Sequence, residues 1–419
     1  MLKISNSFKT IFNQLIGYGF SQLIVILLPI ILLPILTRTL SINEFADYNI
    51  YKTIVALSTP IISFSLSTYL LKNFYDDLKN KENKFIFNAV YFSFLMTMVV
   101  IIISFIFPNI IIKILKIDQL EVLFFGYLNT LLFSIYTLFL SVYRAKSDVK
   151  EFLISNTIIF TFMIISVLIF LSLDKLSLRL VLIIHSSSYL AAIIYGIIKN
   201  IKINKMDLKI DNILIKKFIE FSIPLALYSL FMQLVAGNDR MLINYYLGKK
   251  DLAIYASTFQ LAFGVSAIGS ILQLAWSPYI FKKLRNSHEI DSKIVKYFFL
   301  MITFMIFFCF VYYLLFPTLL KLFLPKEYFD GLGIFVWFIL AGFFQAVYWM
   351  VNPFLITYEK RSYLLYIATL TALVSLILNL NYTKYGVENA AIIYFVCWFF
   401  QCFITILSVY YAKKSLSNN

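Results

Sequence analysis

The chain has 419 residues, 61% of them hydrophobic and 18% aromatic, with only 14% charged and a formal net charge of +15. A mean hydropathy of +0.86 excludes a soluble globular domain of this size, because no water-soluble fold can bury so large an apolar fraction. The three cysteines, Cys309, Cys397 and Cys402, all fall inside apolar runs and have no CxxC spacing, which argues against both a disulfide framework and a thiolate metal site.

An apolar run of about 20 residues crosses the hydrocarbon core as a helix. Twelve such runs follow one another, at 11–37, 45–71, 85–107, 121–143, 152–173, 178–198, 218–247, 251–281, 295–316, 331–357, 362–381 and 388–411. They are continuous, without the alternation a membrane β-barrel demands, so the expected fold is an all-α polytopic membrane protein. Lys3 and Lys9 precede the first run as they would in a signal peptide. That run is longer than a signal h-region and lacks a small-residue cleavage site, so it reads as a retained helix.

The basic residues orient the chain. With the N-terminus inside, 24 of the 36 Lys and Arg fall in inner segments and 10 in outer ones, while Lys52 and Arg240 lie inside spans. The positive-inside rule then places both termini in the cytoplasm, and the charge marks topology rather than nucleic-acid binding. The longest segment between spans, KNIKINKMDLKIDNILIKK at 199–217, is too short for a catalytic domain.

Twelve spans divide into two sixes, and the chain repeats itself across that division. Leu40, Glu44, Ala46 and Tyr48 after the first span register with Leu247, Asp251, Ala253 and Tyr255 after the seventh. After a three-residue slip, Tyr69 to Lys72 register with Tyr279 to Lys282. An even number of spans separates the copies, so the two halves share an orientation. The expected division is an N-terminal lobe at 1–200, a cytoplasmic linker at 201–217 and a C-terminal lobe at 218–419.

The pattern Arg38-x-Leu40-x3-Glu44-Phe45-Ala46-x-Tyr48, with Asn238-Asp239-Arg240-x2-Ile243-x3-Leu247-Gly248-x4-Ala253-x-Tyr255, resembles the polysaccharide flippase family. This is the O-antigen and lipid-linked oligosaccharide exporter branch of the superfamily that contains the MATE drug antiporters. Ala46 and Ala253 stand where that family's F-G-x-Y element has glycine, a small-for-small change. The resemblance implies two six-helix lobes forming a V, with spans 1, 2, 7 and 8 lining a cavity that opens alternately. It implies a cargo of undecaprenyl-pyrophosphate-linked oligosaccharide, an O-antigen or capsule repeat unit, flipped across the bacterial cytoplasmic (inner) membrane. It also implies the company of polymerase and chain-length proteins of one pathway.

An ionisable side chain deep in the bilayer costs about 2.5 to 3.5 kcal/mol on the insertion scale, so each is a candidate site. Asp239 and Arg240 lie about eight residues before Leu247, roughly 12 Å from the outer end of their span. Neighbours on a helix diverge by about 100°, and neither has an opposite charge three or four places away, so their partners are expected in water, another helix or cargo. Ser229, Gln233, Gly237, Arg240 and Asn244 form a polar stripe on span 7. Lys52, Ala56, Thr59, Ser63 and Ser67 do so on span 2, Ser266, Ser270, Gln273 and Ser277 on span 8, and Gln14, Tyr18 and Gln22 on span 1.

A functional reading assigns Lys52 and Arg240 to the pyrophosphate, Gln233, Asn244, Gln273 and Arg38 to the rest of the substrate path, and Asp239 to a coupling proton or Na⁺. The structural alternatives are helix packing for the stripes, snorkelling for Lys52, an interface anchor for Arg38 and an interhelical ion pair for Asp239 and Arg240. Pro29 and Pro34 in span 1 and Pro60 in span 2 are candidate gate kinks, with Pro353 in span 10. His185 and His288 lack metal-ligand spacing and read as satisfied or solvated, and neither a metal nor another cofactor is expected. Two rivals to the flippase remain: a MATE-type H⁺- or Na⁺-coupled antiporter of small cations, which favours acidic cavity residues, and a membrane polymerase or acyltransferase, which needs a catalytic constellation the chain does not display. The expectation is a carrier, not an enzyme.

Overall fold

The computed structural model describes residues 2–74, 82–116, 120–200, 209–284, 291–358 and 360–417. They form fifteen α-helices: α1 (Leu2–Thr39), α2 (Ile42–Ser63), α3 (Leu66–Asn73), α4 (Glu82–Ile106), α5 (Pro108–Leu115), α6 (Leu120–Ala145), α7 (Val149–Ser172), α8 (Leu178–Asn200), α9 (Asn212–Tyr246), α10 (Lys249–Ala262), α11 (Gly264–Leu284), α12 (Ser292–Phe323), α13 (Phe335–Thr357), α14 (Arg361–Tyr382) and α15 (Val387–Ser417). Ten of them, and α10 with α11 taken together, are long and apolar enough to cross a membrane, or twelve spans in all when α2 and α3 count as one broken span. Every expected span meets a helix, and the chain is a multi-pass all-helical membrane protein.

Two spans expected to be single helices are interrupted. Between α2 and α3, Phe64 and Ser65 both adopt left-handed backbone (φ 48° and 54°), and the two helices bend by 43°. The break falls four residues beyond Pro60, which stays inside α2. The second span of the C-terminal half divides at Phe263 into α10 and α11, there with right-handed backbone (φ −57°). Pro29 and Pro34 do not break α1, which runs through both.

Helix starts follow local chemistry. Ser41 and Glu44 form a capping box on α2: the Ser41 amide donates to Glu44 Oε2 (3.0 Å) and the Glu44 amide to Ser41 Oγ (3.3 Å). Asp148 accepts from the Glu151 amide at α7, and Asp291 from the Ile294 amide at α12. Asp211 accepts from the Ile213 and Leu214 amides at α9. Along the spans, buried hydroxyls turn back on their own helices, as Thr53 does to Asn49 O and Thr130 to Gly126 O, which satisfies them where no water reaches.

The chain forms two compact units, one of residues 1–32 and 39–230 and the other of 33–38 and 231–419, so the division in the second half of the chain falls within α9. The expected linker at 201–217 lies outside the described residues as far as 208, and Asn212 already begins α9. In the first unit, Tyr69, Phe85, Phe92 and Phe218 interlock, with Phe218 edge-on to Tyr69 and Phe85 at centroid distances of 5.1 and 5.3 Å. Gly126 lets α6 approach α2 so closely that a Cβ there would lie 2.7 Å from Ile54 Cγ2. In the second unit α13 is the central helix, and Gly269 of α11 meets the Ala346 side chain as tightly. At the other extreme, α12 shows Phe299, Leu300, Phe307 and Phe310 outward, the face expected of a lipid-contacting helix.

Ion pairs gather the loops of the first unit into two opposite groups. At one end Lys146 bridges Glu82 (2.7 Å) and Asn200 (3.3 Å), while Lys84 pairs with Asp211 (2.8 Å). At the other Arg179 approaches Glu121 (3.5 Å) beside Glu44 and Ser177, around a cleft of about 500 Å³. The alternation of loops between two sides, as counted along the sequence, is what these pairings require.

Candidate functional site

Each unit holds charged or titratable side chains within its spans. In the second unit the neighbours Asp239 and Arg240 do meet, contrary to the divergence expected of adjacent helical positions. Asp239 is 1% exposed, and its Oδ1 accepts from the Arg240 amide (2.7 Å) and lies 3.7 Å from Arg240 Nη1. The long Arg240 side chain folds back along α9, donating from Nη1 to Ala236 O (2.6 Å). Its guanidinium also sits 4.3 Å from the Phe259 ring centroid. Arginine reach, not Cβ direction, decides the contact.

The other carboxylate oxygen of Asp239 accepts a hydrogen bond from the Tyr255 hydroxyl of α10. One residue earlier, Asn238 exchanges hydrogen bonds with Ser375 (3.1 Å) and accepts from Asn379 of α14 (3.2 Å). The sequence reading missed both partners. Tyr255 belongs to the repeated element, and its repeat mate Tyr48 carries the Lys52 ammonium 5.1 Å from its ring centroid. The two copies of that tyrosine thus each touch a charged residue of a span, a signal the repeat already carried.

The first unit's polar cluster was also missed. His185 of α8 is half-buried and its Nδ1 lies 2.5 Å from the Tyr51 hydroxyl of α2. Its ring tilts against Tyr189 (5.2 Å), which packs on Tyr136 of α6 (5.6 Å). Tyr136 in turn donates to Asn156 Oδ1 of α7, whose amide donates to Ser21 Oγ (2.7 Å). His185 is therefore a satisfied histidine, as expected, but its partner lies 134 residues away and is invisible to local spacing. His288 lies outside the described residues.

The remaining candidates divide. Lys52, Gln233 and Gln273 are partly exposed, whereas Asn244 is fully buried. Arg38 donates to Leu322 O (2.9 Å) in the last turn of α12. Thr59 donates to Val55 O and Ser270 to Ala267 O, and Ser67 lies 3.4 Å from Thr137 Oγ1, so these hydroxyls of the two stripes serve helix structure and packing. The side chains of Gln14, Tyr18 and Gln22 lie outside the described residues. No group of three His, Cys, Asp or Glu able to hold a metal occurs among the described residues.

Solved structures similar to this chain include a transporter and a flippase. The chain is similar to a multidrug resistance MATE family transporter of the MOP superfamily in an inward-facing conformation, at 11% identity over 94% of this chain and 96% of that one, with a TM-score of 0.73. It is also similar to the lipid II flippase MurJ in an inward closed conformation, at 14% identity over 94% and 86%, with a TM-score of 0.69. The fold is therefore MATE- and MurJ-like. In sequence, the profile of the family described as polysaccharide biosynthesis protein matches residues 13–284, well over half of the chain. A Haemophilus influenzae relative from the Lsg locus is 22% identical over 291 residues, 68% of this chain and 70% of that one. The chain belongs to the polysaccharide biosynthesis protein family.

Proposed function

We propose that the protein is a flippase that carries an undecaprenyl-pyrophosphate-linked oligosaccharide, an O-antigen or capsule repeat unit, across the bacterial inner membrane by alternating access. One observation carries the reading: a chain of the polysaccharide biosynthesis family keeps a basic side chain within a span of each unit, Lys52 in one and Arg240 in the other. Two cations at membrane depth suit a diphosphate, Arg240 through its planar fork and Lys52 as a point charge. Gln233 and Gln273, both partly exposed, offer amides for the sugar hydroxyls, Asn244 lies buried behind them, and Arg38 serves the path by fixing the end of α12. Bending near Pro29, Pro34 and Pro60 accompanies the change of access. Both termini face the cytoplasm, and polymerase and chain-length proteins take up the product.

Asp239, held by Tyr255 and Arg240, is the candidate for a coupling proton or Na⁺. Its burial also favours a second reading, a MATE-type antiporter of small cations, which would use an acidic rather than a basic site. The deciding experiment deletes the gene and follows lipid-linked intermediates. Accumulation of undecaprenyl-pyrophosphate-linked oligosaccharide on the inner leaflet, relieved by the wild-type gene and not by Lys52→Gln at equal protein level, is the expected result. Normal surface polysaccharide in the deletion strain would overturn the reading.

A further inference from the structure

In the first unit, the starts of α2, α6 and α8 meet around the cleft of about 500 Å³, which Glu44, Leu120, Glu121, Ser177, Leu178 and Arg179 line. A second cavity, of about 480 Å³, is walled by Met98 and Phe105 of α4, Ile112 of α5, and Leu120, Leu123 and Phe124 of α6. Leu120 lines both, so a polar cleft and an apolar groove adjoin at one side chain.

The two cavities offer opposite chemistry. The hydroxyls on the groove are already engaged: Thr97 donates to Ser93 O (2.8 Å), Ser104 donates to Val100 O (2.8 Å), and Tyr127 Oη lies 2.7 Å from Ser104 Oγ. The groove therefore favours a hydrocarbon chain over a sugar or a headgroup. In the cleft, Arg179 Nε lies 3.5 Å from Glu121 Oε2, a contact that leaves the two Nη amines of the fork for another anion. Glu44 holds the Ser41 amide and hydroxyl through Oε2, which leaves its Oε1. Ser177 Oγ accepts from the Leu180 amide (3.5 Å) and keeps its own proton to donate.

We propose that the first unit binds one membrane phospholipid whose headgroup joins a phosphodiester to a primary ammonium, with the headgroup in the cleft and an acyl chain in the groove. The inference stands apart from the cargo and uses none of Lys52, Asp239 or Arg240. Charge complementarity selects this occupant. An anion alone would meet Arg179 together with two carboxylates, and a small cation alone would make no use of the groove. A zwitterion answers both charges: its phosphodiester takes the guanidinium fork and the Ser177 hydroxyl, while its ammonium, with three donors, takes the remaining oxygens of Glu44 and Glu121. The chain tied to that headgroup then covers the adjoining groove, where Phe105 and Phe124 are 86% and 61% exposed.

Native mass spectrometry of the full-length protein in detergent, titrated with phosphatidylethanolamine, phosphatidylcholine or phosphatidylglycerol of identical acyl chains, reads the bound lipid directly. We expect one molecule of phosphatidylethanolamine to be retained per chain, more tightly than the other two. Arg179→Gln should weaken that retention about fivefold, the upper end for a charge contact so open to water. Glu44→Gln combined with Glu121→Gln should abolish the preference over phosphatidylcholine, and glutamine at 44 still completes the capping box on α2. Met98→Trp, inside the groove, should weaken retention of phosphatidylethanolamine, whereas Ile165→Trp, on an exposed face of α7, should not, which separates a seat from the general lipid belt.

Equal retention of the three lipids by the wild type, or a preference that survives both Arg179→Gln and the double glutamine variant, overturns the inference. A preference for phosphatidylglycerol does so too, by moving the headgroup to the exposed Lys113 of α5, as does a lipid-free dimer, which would give the groove to a second copy. Should Met98→Trp not fold, the headgroup preference of the wild type and its loss in the surface variants decide.

Discussion

Replacing Arg240 tests how far the charged pair in α9 is structural. Asp239 is 1% exposed and Arg240 14% exposed at the side chain, with 3.7 Å between Oδ1 and Nη1. At an effective dielectric of about 20, two unit charges at such a distance interact by about 4 kcal/mol. Removing one partner of a buried pair leaves an uncompensated charge, at a cost of roughly 3 to 5 kcal/mol. Arg240→Gln should therefore lower the melting temperature of the detergent-solubilised protein by roughly 6 to 20 °C, at about 2 to 4 °C per kcal/mol for a unit near 200 residues. Asp239→Asn should cost less, because Arg240 keeps its bond to the Ala236 carbonyl and its place over Phe259.

The double variant should recover at least about 1.5 kcal/mol relative to the sum of the singles, measured as a thermodynamic cycle by thermal unfolding. Additivity within about 0.5 kcal/mol would refute the reasoning, and Arg240 would then be free to act on cargo alone. The same cycle guards the export assay, because loss of polysaccharide in Arg240→Gln means loss of transport only where the protein level is unchanged.

Other expectations follow from particular contacts. Gly126→Ala, whose Cβ would lie 2.7 Å from Ile54 Cγ2, should destabilise the first unit by about 1 to 3 kcal/mol, with Ile54→Ala relieving part of the loss in a melting assay. Ser65, left-handed at φ 54° with no capping bond from its side chain, should tolerate glycine with unchanged or raised stability and lose about 1 to 2 kcal/mol on substitution by valine. The Lys84 ammonium, by its hydrogen bond, holds the Asp211 carboxyl below the usual carboxylate range. Because its folded pKa is depressed, the stabilisation from Asp211 is present above the unfolded value of about 3.9 and fades as pH falls through the folded one. The difference in stability between wild type and Asp211→Asn, about 0.5 kcal/mol for a pair so open to solvent, should be seen at pH 6 and shrink as pH falls below about 4 in denaturation at controlled pH. Lys52→Arg should support export better than Lys52→Gln in the deletion strain; equal export by the two would assign Lys52 to snorkelling.

Much of the fold was legible because hydropathy is a property of continuous segments. Each of the twelve apolar runs became a helix or a broken pair, since a bilayer leaves a backbone no other way to satisfy its amides. The interruption at Phe64 and Ser65 was hidden for the same reason: left-handed backbone at two non-glycine residues leaves no mark on an apolar run. The site was legible in part. Cost at membrane depth singled out Lys52, Asp239 and Arg240, and helical angles then misjudged how they interact. An angle between Cβ directions constrains short side chains; a guanidinium at the end of a long flexible one can turn back to the carboxylate of its neighbour and the carbonyl four residues earlier.

The partners that matter lie far off in sequence, 134 residues from Tyr51 to His185 and 137 from Asn238 to Ser375, where neither periodicity nor spacing reaches. The repeat marks a different pair of contacts. Tyr48 and Tyr255 register across the two halves, and in the folded chain one sits beneath the Lys52 ammonium while the other donates to Asp239. A phenol serves both, with its ring face toward a cation in one unit and its hydroxyl toward a carboxylate in the other. Duplication of one element thus left two sites of opposite electrostatic need built on the same side chain.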